Sequence, residues 1–68
     1  MDKNLRLLEA LLFASQKPIS EKQLVDRLPN DAEIPKLVSE LKDIYNGHGI
    51  NLVQVGNGWA FRTAPELG

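Results

Sequence analysis

The chain has no cysteine and a single histidine, His48. No disulfide can staple it, and a structural zinc site of ordinary spacing cannot be assembled from what remains. The lack of cysteine also suits a reducing compartment. No run reaches the roughly 18 apolar residues of a membrane span. The most apolar stretch, Leu5 to Ala14, is interrupted by Arg6 and Glu9. It lacks the small-residue cleavage site of a signal peptide, so the chain reads as cytoplasmic. Positive charge is not in excess either: eight Lys and Arg stand against nine Asp and Glu, for a net charge of −1. A domain built chiefly to hold nucleic acid is usually basic, and this one is not. No internal repeat or low-complexity segment is present.

What is there suits one small globular domain. The chain has 68 residues and 43% apolar content. A core of this size supplies roughly 3–5 kcal/mol of stability. With no staple, a second copy or a partner is an expected source of further stability.

Leu5, Leu8 and Leu12, with Leu7, Leu11 and Ala14, set a helical period from about Asp2 to Ser15. They cover about half of the helical wheel, wider than the ~100° stripe that one-sided packing needs. Ala10 and Phe13 lie outside that arc, beside Arg6 and Glu9. Phe13 either lies under a loop or the hairpin, or meets a second chain. Gln16-Lys17-Pro18 breaks the helix, since Pro18 disfavours helical angles at Lys17. Ile19 then makes a short extended contact. Ser20 followed by Gln23 predicts a capping box, and Ile19 with Leu24 a hydrophobic staple. The second helix, Glu21 to Leu28, is expected to bury Leu24, Val25 and Leu28, and Pro29-Asn30-Asp31 is the turn.

A third helix spans Asp31 to Asn46. Pro35 pushes Ile34 out of helical angles, so residues 31–34 form a separate turn and the regular helix starts at Pro35. Ile34, Leu37, Val38, Leu41, Ile44 and Tyr45 make its core face. Gly47 or Gly49 supplies the left-handed stop. Ile50 to Val55 and Trp59 to Thr63 read as strands joined by Gly56-Asn57-Gly58. An Asn57-Gly58 two-residue turn sets Gln54 opposite Phe61 and Val53 opposite Arg62. Ile50, Leu52, Trp59 and Phe61 then form the core face. Val53, Val55 and Ala60 form the other face, which is more apolar than solvation requires, although solitary surface valines are ordinary. The element order is that of a winged helix-turn-helix, an α+β, mainly helical fold of three helices and a C-terminal β-hairpin wing. Residues 1–63 form the domain. Residues 64–68 read as a linker or the start of a connection to a second domain.

Nothing in the spacing builds a catalytic constellation. His48 stands between two glycines, as a solvated loop residue or a cap for nearby carbonyls. Gly56 and Gly58 flank a turn between strands, which is not a phosphate-binding junction. DNA binding is the rival that the architecture invites. A DNA face would use Lys36, Ser39, Lys42 and Asn46 of the third helix, with Arg62 of the wing. Glu40 and Asp43 offset the two lysines, and phosphate affinity comes mainly from Lys and Arg. The same face offers no arginine for guanine. The reading that fits the residues better is a non-catalytic module for protein contacts. Leu7, Ala10, Leu11, Phe13 and Ala14 of the first helix are its contact residues, with Val53 and Val55 as second choice. A DNA-binding regulator fragment is the alternative.

Several stretches together resemble the N-terminal domain of the bacterial segregation and condensation protein B family, ScpB. They are Leu8-Glu9-Ala10-Leu11-Leu12-Phe13-Ala14-Ser15, then Pro18-Ile19-Ser20, then Leu37-Val38 with Leu41 and Tyr45. Gly49-Ile50, Leu52-Val53, Val55, Gly58 and Arg62-Thr63 with Pro65-Glu66 continue the match over nearly the whole chain. Gln16-Lys17 stands where a glycine-containing turn is common, and Trp59 where tyrosine is frequent. The resemblance implies a whole protein of two winged-helix domains, with this chain as the first. It implies a homodimer that binds the kleisin ScpA and, through it, the heads of the SMC ATPase. The implied role is chromosome condensation and segregation in the nucleoid-associated cytoplasm, with no cofactor and no enzyme activity.

Overall fold

Helix α1 (Lys3–Ala14) starts at Asp2, whose carboxylate accepts a hydrogen bond from the Leu5 N–H at 3.4 Å. The computed structural model describes residues 2–67. At the other end of α1 the Ser15 hydroxyl donates to the Lys17 carbonyl at 2.6 Å, fixing the break before Pro18. The chain then enters β1 (Ile19–Ser20) and turns into α2 (Glu21–Arg27). The capping box predicted there is formed. The Gln23 N–H donates to Ser20 Oγ at 3.2 Å, and the Ser20 N–H donates to Gln23 Oε1 at 3.0 Å. Two backbone donors that a helix start leaves open are thereby satisfied.

Helix α3 (Ile34–Tyr45) begins one residue earlier than the proline rule predicts, with Glu33 at the cap and no side-chain cap bond. Pro35 sits in the first turn, where a missing N–H costs nothing because it would lack a partner anyway. The preceding turn closes through the Ala32 N–H on the Pro29 carbonyl at 3.0 Å. Gly47, at φ +82°, is the left-handed stop, and the His48 N–H caps the Tyr45 carbonyl at 3.0 Å. That carbonyl also accepts from Asn51 Nδ2 at 2.9 Å, which ties the end of α3 to the first strand of the hairpin.

Strands β2 (Ile50–Val55) and β3 (Gly58–Thr63) form the antiparallel hairpin, and β1 adds to its far side in the order β1-β3-β2. The register differs from the expected one. Gln54 lies opposite Trp59 and Val53 opposite Ala60, so the turn is Gly56-Asn57. Gly56 takes φ +59°, and Asn57 stays at negative φ. A glycine at the first turn position with positive φ is the type II′ pattern. The reason lies at Gly58, which pairs with Ser20 of β1 against Pro18. It is used for close approach and is not free to serve as a turn residue. The slip is of two residues, so each residue keeps its face: Leu52 is buried, with Trp59 and Phe61 packed against the core, but Ala60, expected on the open face with Val53 and Val55, is buried too.

That core comprises Leu5, Leu8 and Leu12 of α1, Leu24 and Leu28, Ile34, Leu37, Val38 and Leu41 of α3, and Leu52. Leu8, Leu24 and Leu41 are fully buried. Three residues expected in it lie outside, one of them Ile50, which is half-buried and not part of the cluster. Val25 is 57% exposed and Ile44 is 41% exposed. Val25 sits about 100° from Leu24 around a short helix, and Ile44 lies at the edge of its arc. Ala64, at the start of the expected linker, is buried, and its N–H donates to the Gly49 carbonyl at 2.8 Å. A short 3-10 turn, Pro65–Leu67, follows.

Candidate partner-contact surface

The buried residues of α1, Leu5, Leu8 and Leu12, span only about 60° of its wheel at ~100° per residue. The rest of its apolar set therefore faces outward. Leu7 is 38% exposed, Ala10 and Ala14 are exposed, and Leu11 is half-buried against the core. Phe13 is 68% exposed, so the hairpin does not cover it. Its ring meets Phe61 only edge-on, at 6.1 Å between centroids.

These side chains border two depressions, besides a third of about 670 Å³ that Leu7 and Ala10 share with Lys3, Arg6 and Glu9. The first, about 490 Å³, lies between α1 and the β1–α2 corner. Leu7, Ala10, Leu11 and Ala14 form one wall, Pro18 and Ile19 the other, and Lys17, Gln23 and Arg27 the rim. Gln23 and Arg27 are four residues apart and so share one face of α2. The second, about 440 Å³, is lined by Glu9, Ala10, Phe13, Ala14 and Tyr45. Ala10 and Ala14 belong to both and form a low ridge between them.

An aromatic run backs the second depression. Phe61 stands 4.9 Å from Tyr45, and Tyr45 stands 5.8 Å from His48, both edge-to-face. The Tyr45 hydroxyl donates to Glu9 Oε2 at 2.6 Å, joining α3 to α1. That hydrogen bond, followed by burial and the negative charge of Glu9, raises the Tyr45 hydroxyl above its ordinary 10.0. A raised phenol holds its proton longer in the folded state. The bond's stabilisation is therefore complete below pH 10 and is lost as pH climbs through the raised value. Tyr45→Phe keeps the ring contacts and should cost about 0.5–1.5 kcal/mol. Urea midpoints of the two proteins should differ below pH 10 and converge above it; a gap that persists in alkali would remove the hydrogen bond as its cause.

Val53 is half-buried and Val55 exposed, on the sheet face opposite Leu52. They do not join the α1 residues in one patch. Lys36, Ser39, Lys42, Asn46 and Arg62 are all exposed, but they are not gathered into a basic face. Lys36 lies in a depression shared with Asp2, Asp31, Glu33 and Glu40. The Lys42 ammonium lies 5.9 Å above the Trp59 ring. Arg62 pairs across from Asn51 on the wing. Residues that sequence reasoning did not single out are Lys17, Gln23 and Arg27 at the groove rim and the Glu9–Tyr45 bond. Among the described residues, no group of three His, Cys, Asp or Glu could hold a metal ion. None of their helices is long and apolar enough to cross a membrane.

Three helices, with a short strand and a hairpin closing one antiparallel sheet, define a winged-helix domain, here with an apolar strip along its first helix. Residues 6–68 match the family of the segregation and condensation complex subunit ScpB, and the chain belongs to that family. It is 34% identical to the segregation and condensation protein B homolog of Coxiella burnetii (strain RSA 493 / Nine Mile phase I), covering 90% of this chain and 32% of that protein. It also superposes on the crystal structure of a conserved hypothetical protein from Chlorobium tepidum with a TM-score of 0.77 and 30% identity. That match covers 96% of this chain and 43% of the other. The chain thus spans less than half the length of either relative.

Proposed function

We propose that this domain is a non-catalytic dimerisation and scaffold unit of the chromosome segregation and condensation complex. In this reading it self-associates through the outer side of α1 and contributes to binding the kleisin ScpA, and through it the SMC ATPase. Membership of the ScpB family supports the complex. The carrying observation is the uncovered strip of Leu7, Ala10, Leu11, Phe13 and Ala14 on a domain too small to be very stable alone. Val53 and Val55 form a separate and lesser apolar face.

Phe13 is the residue with most to lose from staying in water, since a buried aromatic side chain is worth roughly 1.5–3 kcal/mol. Sedimentation of the wild-type chain at high micromolar concentration should give a dimer mass. Phe13→Glu should weaken the dimer by about tenfold or more, which is ~1.4 kcal/mol, with helical content unchanged. A monomeric wild type at that concentration would sink the dimer reading.

A further inference from the structure

The two depressions beside the Ala10–Ala14 ridge differ in charge. The groove against the β1–α2 corner has Lys17 and Arg27 on its rim and no carboxylate among its lining residues. Two of the chain's eight basic side chains thus border one apolar trough. Towards the start of α1, Lys3 and Arg6 line a separate depression with Leu7, Glu9 and Ala10. Glu9 lines that depression and the Phe13–Tyr45 one, and accepts the hydrogen bond of Tyr45. The Phe13–Tyr45 depression has no basic side chain in its lining.

We infer that the groove walled by Leu11, Ala14, Pro18 and Ile19 receives an acidic amphipathic helix of a partner protein, while the Phe13 side is left to the second copy. This rests on the reading of α1's outer strip as a contact surface and assigns its two halves. A second copy does not suit the groove. A two-fold axis through the groove places this surface against itself, so Lys17 and Arg27 would meet one another. Like charges brought together at an interface oppose the wrong partner. Nucleic acid does not suit it either, because phosphate has no use for Leu7, Leu11 and Ile19 on the walls. A helix with an apolar stripe at positions i, i+3, i+4 and i+7 fits a trough running beside another helix. Carboxylates on its flanks would face the basic rim.

The test is an amide-resonance titration of the whole chain with two capped synthetic helical peptides. Both carry the same leucine stripe, one with glutamate and the other with lysine on the flanks. The glutamate peptide should saturate, shifting Leu7, Leu11, Ala14 and Ile19, and should weaken as salt is raised. The double variant Lys17→Glu, Arg27→Glu changes two exposed side chains. It should weaken the glutamate peptide by about tenfold or more and strengthen the lysine peptide. Equal binding of the two peptides overturns the proposal, as does a double variant that binds like wild type. Two further results also overturn it: a duplex DNA probe that shifts the same groove residues, or a loss of dimer mass in the double variant. A monomeric wild type that still takes up the glutamate peptide would remove the dimer and leave this groove assignment standing.

Discussion

Leu41→Ala should remove about 2–5 kcal/mol of the roughly 3–5 kcal/mol that a core of this size supplies. Leu41 is fully buried at the centre of α3, where the helix meets α1, α2 and β2 through the same cluster. A cavity term adds to the lost transfer energy. Most of the population should lose its cooperative urea transition, or show it displaced to very low denaturant. Ile44→Ala, three residues further along the same helix, should cost about 1 kcal/mol or less, because Ile44 is already 41% exposed. Far-ultraviolet circular dichroism against urea measures both. Equal losses would mean that α3 is rotated about its axis relative to the packing described.

The contrast between those two residues shows what the sequence could and could not reveal. Periodicity gave α3 a clean arc because six apolar residues fall on one side of it. It could not give the width of the arc that neighbours cover. Ile44, at one margin of the α3 arc, and Val25 on α2 were expected in the core and are left exposed. Capping was more legible than packing, since Ser20 and Gln23 meet through local bonds that depend only on spacing. The hairpin was legible as a hairpin and in its core face, though not in the burial of Ala60 on the other face. Its turn was not, because the residue that decides it, Pro18, belongs to a distant segment.

The contact surface divides in the same way. Surplus apolar residues on α1 were visible in the sequence, because Ala10 and Phe13 fall outside any single stripe. The basic rim was not visible. Lys17 lies in a connection and Arg27 on another helix, and only the fold brings them to the groove that Leu7, Leu11 and Ala14 wall. Glu9 and Tyr45 are separated by 36 positions, and no local rule couples a carboxylate to a phenol at that distance. The resemblance to a known family reached the correct family through the order and spacing of short stretches, none of which is specific alone.

Gly58→Ala should cost about 1–3 kcal/mol, a large share of the total, although the change adds one methyl group. A Cβ at this position would lie 2.8 Å from Pro18 Cβ, 3.1 Å from the Pro18 carbonyl carbon and 3.2 Å from that of Ile19. Two of these atoms are backbone, and the third belongs to a rigid ring, so none can swing aside. Relief has to come from separating β1 and β3, whose pairing is only Ile19 with Trp59 and Ser20 with Gly58. That separation also disturbs the Ser20 cap of α2. The mechanism predicts coupling to Pro18. Pro18→Gly removes the Cβ, and in the Gly58→Ala background it should recover about 0.5 kcal/mol or more relative to the sum of the single changes. Recovery should be partial, because the two backbone contacts remain. The alternative turn, Asn57-Gly58, would require positive φ at Gly58 and would make the cost of Gly58→Ala independent of Pro18. Among the described residues, the glycines with positive φ are Gly47 and Gly56. Strict additivity in the double-mutant cycle would therefore return the hairpin to the register expected from Asn-Gly chemistry alone.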